Sequence, residues 1–289
     1  MKTKIAVYLI GILILSSLKV ALADDFFFTV NTGNTAGAST DAELATTFQM
    51  LSDLGCTQTK WSFGWQHIED PRGVYDWTKT DYIATLAQQY NMSIILFSPQ
   101  VSVPKWALKE GQTANVPRNP GEYANFIYQV LNRYKGSMTI QYVEIFNEIA
   151  HGTTDGVNPP FGPHWDDTAA YAVEVGNTIY DKVHDNFPDV KVGPMSLTQP
   201  HGLGSGMTAE NDVKPTFMSA YFSATTKPKM DFLSIHNYPH YGPTQTGSFT
   251  YATQYNMMEL YRDLLDSYGY NDTPLLITEG AIGTSSWVN

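Results

Sequence analysis

Cysteine is almost absent from this sequence, because Cys56 is the only one among its 289 residues. A single thiol cannot form an intrachain disulfide, which excludes a small secreted domain held together by disulfides. No metal-ligand spacing surrounds Cys56, so we interpret it as a buried apolar residue. Hydrophobic residues make up 43% of the chain, which is enough for a sizeable core without covalent crosslinks.

Basic side chains are also scarce, since 17 Lys and Arg face 28 Asp and Glu and the formal net charge is −11. An acidic surface is repelled by phosphate backbones and by anionic lipids. We therefore predict neither nucleic acid nor a membrane surface as a partner. The charge suits a protein that acts on neutral or basic material.

The apolar run near the N-terminus, Ile5–Leu15, is short for a membrane span. Two lysines precede this run, Lys19 follows it, and Ala21-Leu22-Ala23 supplies a small-x-small cleavage pattern. We predict that residues 1–23 are a signal peptide and that the protein is secreted, with a retained anchor as the alternative. Cleavage would remove three lysines and no acid, which would change the net charge from −11 to −14.

Residues 24–289 alternate between strand and helix patterns, with no linker or repeat, and we interpret them as one domain. The predicted strands are Phe26–Val30, Thr57–Phe63, Met92–Phe97, Ile140–Phe146, a strand from Val190, Met230–His236 and Leu275–Thr278. This pattern predicts a (β/α)₈ barrel. A doubly wound sheet is the alternative, but Asn31–Gly37 lacks its phosphate-binding glycine spacing. Because the chain ends ten residues after Glu279, we expect a barrel truncated after strand 7.

Two predicted strands of similar design end on a glutamate. One runs through Ile140–Phe146 to Asn147-Glu148, and the other is Pro274-Leu-Leu-Ile-Thr-Glu279. A parallel α/β protein carries its chemistry at the carboxyl ends of its strands, so these two glutamates are expected to share one pocket. A capping or solvent-facing acid is the alternative for either glutamate alone.

A pair of carboxyl groups is the apparatus of glycoside hydrolysis, in which one acts as acid and one as nucleophile or base. Retaining enzymes hold the pair about 5–5.5 Å apart, and inverting enzymes about 6.5–9.5 Å apart, to admit a water. Asn147, beside Glu148, could bind the sugar hydroxyl next to the reacting carbon. Plentiful aromatic residues, at 13%, are consistent with stacking on sugar rings but also with packing.

Motifs in and around predicted strands 2, 4, 6 and 7 carry a family resemblance. They are Leu54–Thr57 leading to Phe63-Gly64-Trp65, Ile68–Trp77, Asn147-Glu148, Ser234–Pro239 and Thr278-Glu279-Gly280. Together they resemble glycoside hydrolase clan A, most closely the group around family 39 with its β-xylosidases and endoglycosidases. The resemblance spans nearly all of the chain after the leader.

This resemblance implies a retaining glycosidase with Glu148 as acid/base and Glu279 as nucleophile. It implies a hydrogen bond from Asn147 to the sugar 2-hydroxyl and one from Tyr238 to the nucleophile. Further residues expected to line the sugar site are Lys60, Trp65, Trp106 and His236. Core packing is the alternative for Trp65, Trp106 and His236.

The sequence departs from the clan pattern in three places, one of which is the missing eighth strand that often supplies an aromatic platform for the sugar. Lys60 stands where the second strand usually carries arginine, and a lysine offers a point charge instead of a bidentate fork. Ile149 replaces the proline that commonly follows the acid/base glutamate.

We predict a carbohydrate substrate and no cofactor or metal. A metal-dependent barrel hydrolase would usually show a His-x-His pair on its first strand, and Phe26–Asn31 contains none. The first alternative is a barrel that binds glycans without cleaving them, or an inactive fragment, and the metal-dependent hydrolase stays open as the third. The sugar, the linkage, exo or endo action and the oligomeric state do not follow from the sequence.

Overall fold

The computed structural model describes residues 29–35, 40–110, 116–149, 165–198, 215–237 and 251–280. The predicted signal peptide and Tyr238 lie outside these residues, and both stay predictions. Within the described ranges, no helix is both long enough and apolar enough to cross a bilayer.

The fold is built on one sheet of seven strands, in which each strand pairs with the next one along the chain. The strands are β1 (Thr29–Thr35), β2 (Gln58–Ser62), β3 (Ser93–Phe97), β4 (Ile140–Phe146), β5 (Lys191–Thr198), β6 (Leu233–Asn237) and β7 (Leu275–Gly280). Every pairing is parallel. The carboxyl ends of all seven strands therefore meet at one edge, where Glu148 and Glu279 were expected to converge.

Helices connect the successive strands. They are α1 (Asp41–Asp53), α2 (Trp65–Ile68), α3 (Thr78–Gln89), α4 (Pro120–Tyr134), α5 (Ala169–Asn186), α6 (Pro215–Phe222) and α7 (Tyr251–Ser267). The predicted alternation of strand and helix is confirmed. The one-turn helix α2 and two 3₁₀ turns, Gln100–Ser102 and Lys105–Ala107, lie in loops that show no hydrophobic periodicity and were not predicted.

Polar caps fix where several of these helices begin. Thr40 and Glu43 form a capping box at α1, in which each side chain accepts the backbone N–H of the other residue. Asn119 caps α4 ahead of Pro120, whose missing N–H costs nothing in the first turn. Thr168 caps α5. These local signals explain why the helices α4 and α5 begin at residues 120 and 169.

The sheet is curled, because strands far apart in its order touch inside it. Lys60 Nζ on β2 lies 2.9 Å from Glu279 Oε1 on β7, although four strands separate them in the sheet. Cα atoms of β1 and β7 come within 8 Å of each other. The described residues contain neither a hydrogen-bonded pairing of these two edges nor an eighth strand. The described chain is thus an incomplete (β/α)₈ barrel, as predicted.

Side chains alternate between the two faces of the sheet, and β2 shows the consequence. Trp61 points outward and stacks on Phe48 of α1, with ring centroids 5.5 Å apart. Its neighbour Lys60 points inward, where its ammonium lies 4.0 Å from the centre of the Phe97 ring. Both are fully buried. An apolar layer therefore lies between the sheet and the helices, while the barrel interior holds charged groups.

Candidate active site

Glu148 follows β4 in a backbone conformation that few side chains adopt. Its φ is 50°, in the left-handed region, which is uncommon for residues other than glycine. Such conformations persist only where the surroundings enforce them, and they cluster at functional sites. The chain thus turns sharply at the end of β4 and aims Glu148 at the barrel mouth.

Two polar side chains clamp this turn. Gln100 binds Asn147 on both backbone groups, since its Oε1 accepts from Asn147 N at 2.7 Å and its Nε2 donates to Asn147 O at 2.8 Å. Ser196 Oγ on β5 accepts from Glu148 N at 2.9 Å and donates to Phe146 O at 3.0 Å. Both clamping side chains are buried. Sequence reasoning missed both, because a lone Gln in a loop and a lone Ser in a strand carry no pattern.

Glu279 on β7 is held by two groups from other strands. Lys60 Nζ donates to its Oε1 at 2.9 Å, and His236 Nδ1 lies 3.4 Å from its Oε2. Lys60 and His236 come from β2 and β6, so the nucleophile candidate is fixed from two sides of the barrel.

His236 brings the two candidate carboxylates together. Its Nδ1 lies 3.0 Å from Glu148 Oε1 and 3.4 Å from Glu279 Oε2. Two atoms near the same nitrogen cannot be further apart than the sum of their distances to it. Glu148 Oε1 and Glu279 Oε2 are therefore at most about 6.4 Å apart. This limit can be compared with the carboxyl spacings of glycosidases.

A third carboxylate, Glu144, lies inside the barrel below this pair. Its Oε1 accepts from Lys60 Nζ at 2.6 Å and lies 3.2 Å from His236 Nε2. Its Oε2 accepts from Ser234 Oγ at 2.8 Å. Sequence reasoning missed Glu144, although a signal existed. An acid in the middle of the buried strand β4 requires a buried partner, and Lys60 on β2 is the matching cation.

The cluster shifts the ionisation of two of its members. Burial alone would raise the pKa of Glu144, but the Lys60 ammonium and the His236 ring hold it well below its ordinary value of 4.5. Burial and Lys60 each lower the pKa of His236. Hydrogen bonds to Glu144 and Glu148 and the charge of Glu279 outweigh them, so that its pKa is raised above 6.5. The geometry therefore favours an ionised Glu144 and a protonated His236.

Solvent exposure separates these five residues into two groups. The side chains of Lys60, Glu144 and His236 are 0% exposed. Those of Glu148 and Glu279 are 20% and 13% exposed. Of these five residues, only the two predicted catalytic carboxylates can reach a substrate directly. Lys60 and His236, predicted as substrate contacts, instead bind the carboxylates, and this correction follows from their complete burial.

Three of these residues have the composition of a metal site. Ligand atoms of Glu144, His236 and Glu279 lie within 4.8 Å of one another. The Lys60 ammonium, however, already lies 2.6 Å and 2.9 Å from the two glutamates, in the place a cation would take. A metal ion would have to displace it, so the residues present do not favour a metal centre here.

The two tryptophans predicted at the sugar site belong to a neighbouring aromatic cluster. Trp65 is 1% exposed, stacks on Tyr123 and Phe126 of α4, and donates its indole N–H to Glu69 at 2.7 Å. The prediction that Trp65 contacts the sugar is therefore wrong, because packing against α4 covers the ring. Trp106 meets Trp65 edge to face and remains partly exposed, so its substrate contact stays a prediction.

Asn147 is partly exposed next to Glu148, and its predicted contact to a sugar hydroxyl also stays a prediction. A cavity of about 700 Å³ lies at the opposite end of the barrel, lined by Thr57, Ser93 and Ile140 near the amino ends of β2, β3 and β4. Among the described residues that line it, the only ionisable side chains are Lys135 and Tyr134. Without a carboxylate it cannot supply acid and nucleophile, and we do not assign it to catalysis.

Several solved structures with a similar fold carry glycosidase names. A beta-glycosidase from Pyrococcus horikoshii superimposes with a TM-score of 0.63 at 16% identity, covering 92% of this chain and 78% of that chain. The endo-1,4-beta-mannanase from Rhizomucor miehei superimposes with a TM-score of 0.60 at 15% identity, and the match covers 92% of this chain and 81% of the mannanase. Beta-glycosidase BGL167 superimposes with a TM-score of 0.61 at 16% identity, and the match covers 85% of this chain and 68% of BGL167. At such identities these similarities show the fold alone.

The sequence itself matches a family model. Residues 24–289 match the model described as Cellulase (glycosyl hydrolase family 5). A search of curated protein sequences finds no match. The resemblance to clan A is confirmed, and within that clan the matching model is the one of family 5. The chain is a glycosidase that belongs to glycosyl hydrolase family 5.

Proposed function

We propose that this protein hydrolyses glycosidic bonds with retention of configuration, with Glu148 as acid/base and Glu279 as nucleophile. The observation that carries the proposal is the approach of both carboxylates to His236 Nδ1, at 3.0 and 3.4 Å. One oxygen of each carboxylate thus lies within about 6.4 Å of the other, which is close enough for both groups to act on one glycosidic bond and is compatible with the spacing of about 5–5.5 Å in retaining enzymes.

The different surroundings of the two glutamates support their different roles. Glu279 Oε1 accepts a hydrogen bond from the Lys60 ammonium at 2.9 Å, which holds the carboxylate in one position for attack. Glu148 instead lies 3.0 Å from His236 Nδ1, and its side chain is the more exposed of the two, at 20% against 13%. Two carboxyl groups in unlike environments can divide into an acid and a base.

In the first step Glu279 attacks the anomeric carbon while Glu148 protonates the departing glycosidic oxygen. A glycosyl ester at Glu279 forms, and the negative charge moves to Glu148. Glu148 then takes a proton from water, which attacks the ester and releases Glu279. The His236 Nδ1–H lies between both carboxylates, so it can donate to whichever one carries the charge.

We further propose a β-linked polysaccharide as substrate. The matching family model is named for cellulase, and the similar structures include a beta-glycosidase and an endo-1,4-beta-mannanase. Asn147 and Trp106 are the candidates for sugar contacts among the described residues. We keep secretion as part of the proposal, and the mass of the mature protein tests it through the loss of residues 1–23.

A mechanism-based label tests the catalytic assignment. A 2-deoxy-2-fluoroglycoside with a good leaving group should form a stable ester, and mass spectrometry of the digest should locate it on Glu279. Glu279→Ala should take up no label and should recover turnover with azide, giving a glycosyl azide of inverted configuration. A label on another residue would contradict the proposal. So would an NMR spectrum in which the sugar first released has the inverted anomeric configuration. Glycan binding without hydrolysis would favour the non-catalytic alternative.

A further inference from the structure

Glu144 is the buried carboxylate that the catalytic cycle itself does not use. We propose that Glu144 is a positioning residue, which acts on Glu279 through Lys60 and on Glu148 through His236. It does not touch the substrate, because its side chain is fully buried beneath the catalytic pair. The inference rests on the proposed function and adds a third carboxylate to it.

The first connection runs through Lys60. The ammonium lies closer to Glu144, at 2.6 Å, than to Glu279, at 2.9 Å. On its other side the Phe97 ring lies 4.0 Å away, and an aromatic face attracts a cation without competing for its N–H groups. Glu144 therefore sets where the ammonium lies, and the ammonium in turn sets where Glu279 Oε1 lies.

The second connection runs through His236. Its Nε2 lies 3.2 Å from Glu144 Oε1, and its Nδ1 lies 3.0 Å from Glu148 Oε1. A carboxylate that accepts from one ring nitrogen fixes the orientation of the ring and the proton on that nitrogen. Glu144 thus directs the other N–H of His236 at the catalytic pair.

Glu144 is itself anchored, as a positioning group must be. Its two oxygens have separate partners, because Oε1 binds Lys60 and Oε2 accepts from Ser234 on β6 at 2.8 Å. The Ser234 hydroxyl also bonds to Thr278, the residue before the nucleophile. One carboxylate on β4 is therefore tied to β2, β6 and β7, which are the strands that carry the other site residues.

Charge gives Glu144 a second effect on the site. The charged or titratable groups that face it are Lys60, His236, Glu279 and Glu148, whereas Phe97 and Gly193, its register partners on β3 and β5, are neutral. With His236 protonated and Glu148 carrying its catalytic proton, two cations and two anions balance. The contacts to Glu148 and Glu279 still favour a protonated His236 when the Glu144 charge is removed, and the buried cluster then holds one excess positive charge.

Glu144→Gln tests both effects in the full chain. A positive excess stabilises carboxylates, so both limbs of the bell-shaped pH profile of kcat should move to lower pH, by about one unit. Displacement of the catalytic groups should lower kcat on the order of 100-fold, while KM changes little because Glu144 does not contact substrate. A pH profile and kcat equal to those of the unchanged protein would overturn the proposal.

Glu69→Gln is the matched control. Glu69 is also a buried glutamate, but it binds the Trp65 indole and the Gly73 N–H, away from the catalytic pair. Loss of its charge should lower thermal stability and leave the pH profile in place. An equal pH shift in both variants would reduce the effect of Glu144 to general destabilisation and overturn its assignment.

A second variant and the labelling of the unchanged protein test the proposal when Glu144→Gln alone cannot. If Glu144→Gln does not fold, Ser234→Ala deletes only the hydroxyl that fixes Glu144 Oε2, and kcat should fall roughly fivefold with unchanged KM. An unchanged kcat in that variant would contradict positioning. Failure of the fluoroglycoside to label Glu279 in the unchanged protein would defeat the proposed function itself. Successful labelling with an unaltered Glu144→Gln variant would defeat only the inference about Glu144.

Discussion

The inner and outer faces of the sheet bury side chains of opposite character. On β2, Lys60 points into the barrel and binds two glutamates, while Trp61, the next residue, stacks on Phe48 between sheet and helix. The outer layer gains free energy simply by removing apolar area from water. The inner cluster must first offset the desolvation of its charges, so each of its members depends on the others.

Because of this contrast, residues that mainly stabilise the fold lie within a few ångströms of residues that support the chemistry. Apolar substitutions in the outer layer change how much surface is buried, and the sheet transmits little of that change to the site. Substitution of one inner residue leaves a partner charged, buried and uncompensated. We therefore expect variants of the inner face to lose activity even when they fold, and variants of the outer face to lose stability first.

Lys60→Met should have the largest effect. It leaves Glu144 and Glu279 without their shared cation, and breaking a buried ion pair costs about 3–5 kcal/mol of unfolding free energy. Activity of the folded fraction should fall at least on the order of 100-fold, because the nucleophile loses its position. Urea unfolding and kcat at pH 6 measure the two losses. Lys60→Arg keeps the charge and serves as control, and equal damage from both variants would contradict a role for charge.

Phe48→Ala should destabilise the fold as much as Lys60→Met does, but it should leave the catalytic rate of the folded protein nearly unchanged. Truncation of this fully buried ring, which stacks on Trp61, should cost about 3–5 kcal/mol. The kcat per folded molecule should stay within about twofold, since the ring lies outside the barrel. Titration of active sites with the fluoroglycoside counts the folded molecules. A tenfold fall in corrected kcat would show that the two faces are coupled.

The pH dependence of stability should show the inner cluster directly. Glu144 has a lowered pKa, so its contribution is present above its unfolded value of 4.5 and is lost as pH falls through the lower folded value. His236 has a raised pKa, so its contribution is present below 6.5 and is lost as pH rises through the higher folded value. Their joint contribution should be greatest between these values. Urea unfolding across pH measures it. His236→Gln should abolish the alkaline decline and weaken the acid decline, because the His236 ring also helps to lower the pKa of Glu144.

Gln100→Ala should give the smallest of these effects. It removes both hydrogen bonds to the Asn147 backbone, at about 1 kcal/mol each, but no charge. We expect a modest fall in melting temperature and a several-fold fall in kcat, with the pH profile in place. A shifted pH profile would mean that the clamp also controls ionisation, which the geometry does not predict.

The sequence predicts the parts of this site that follow from strand ends. Glu148 and Glu279 each close a buried strand, and the rule that parallel strands align their carboxyl ends is enough to expect them in one pocket. Helix starts at Pro120 and Thr168 follow from caps that are local in the chain. The roles of the two glutamates stay predictions until they are labelled.

The missed or misassigned residues depend on long-range geometry. Lys60 and His236 are correctly expected near the site, but only the curl of the sheet shows that they face carboxylates instead of sugar. Trp65 follows β2 in a motif that suggests the mouth, yet the chain folds it against α4. Glu144 could have been found by asking which buried cation matches it. For Gln100 and Ser196 no sequence pattern indicates the partner.

The left-handed turn at Glu148 has a consequence for engineering. A backbone at φ 50° is adopted more readily by glycine than by glutamate, so this position carries a residue that fits its backbone poorly. Glu148→Gly should therefore relax the turn while it removes the acid, and we expect it to be better tolerated than Glu148→Ala. A protein of this kind would still accept donors whose leaving groups need no protonation, and it would hydrolyse its ordinary products slowly. The turn that strains the native enzyme thus offers a route to a catalyst for building glycosides.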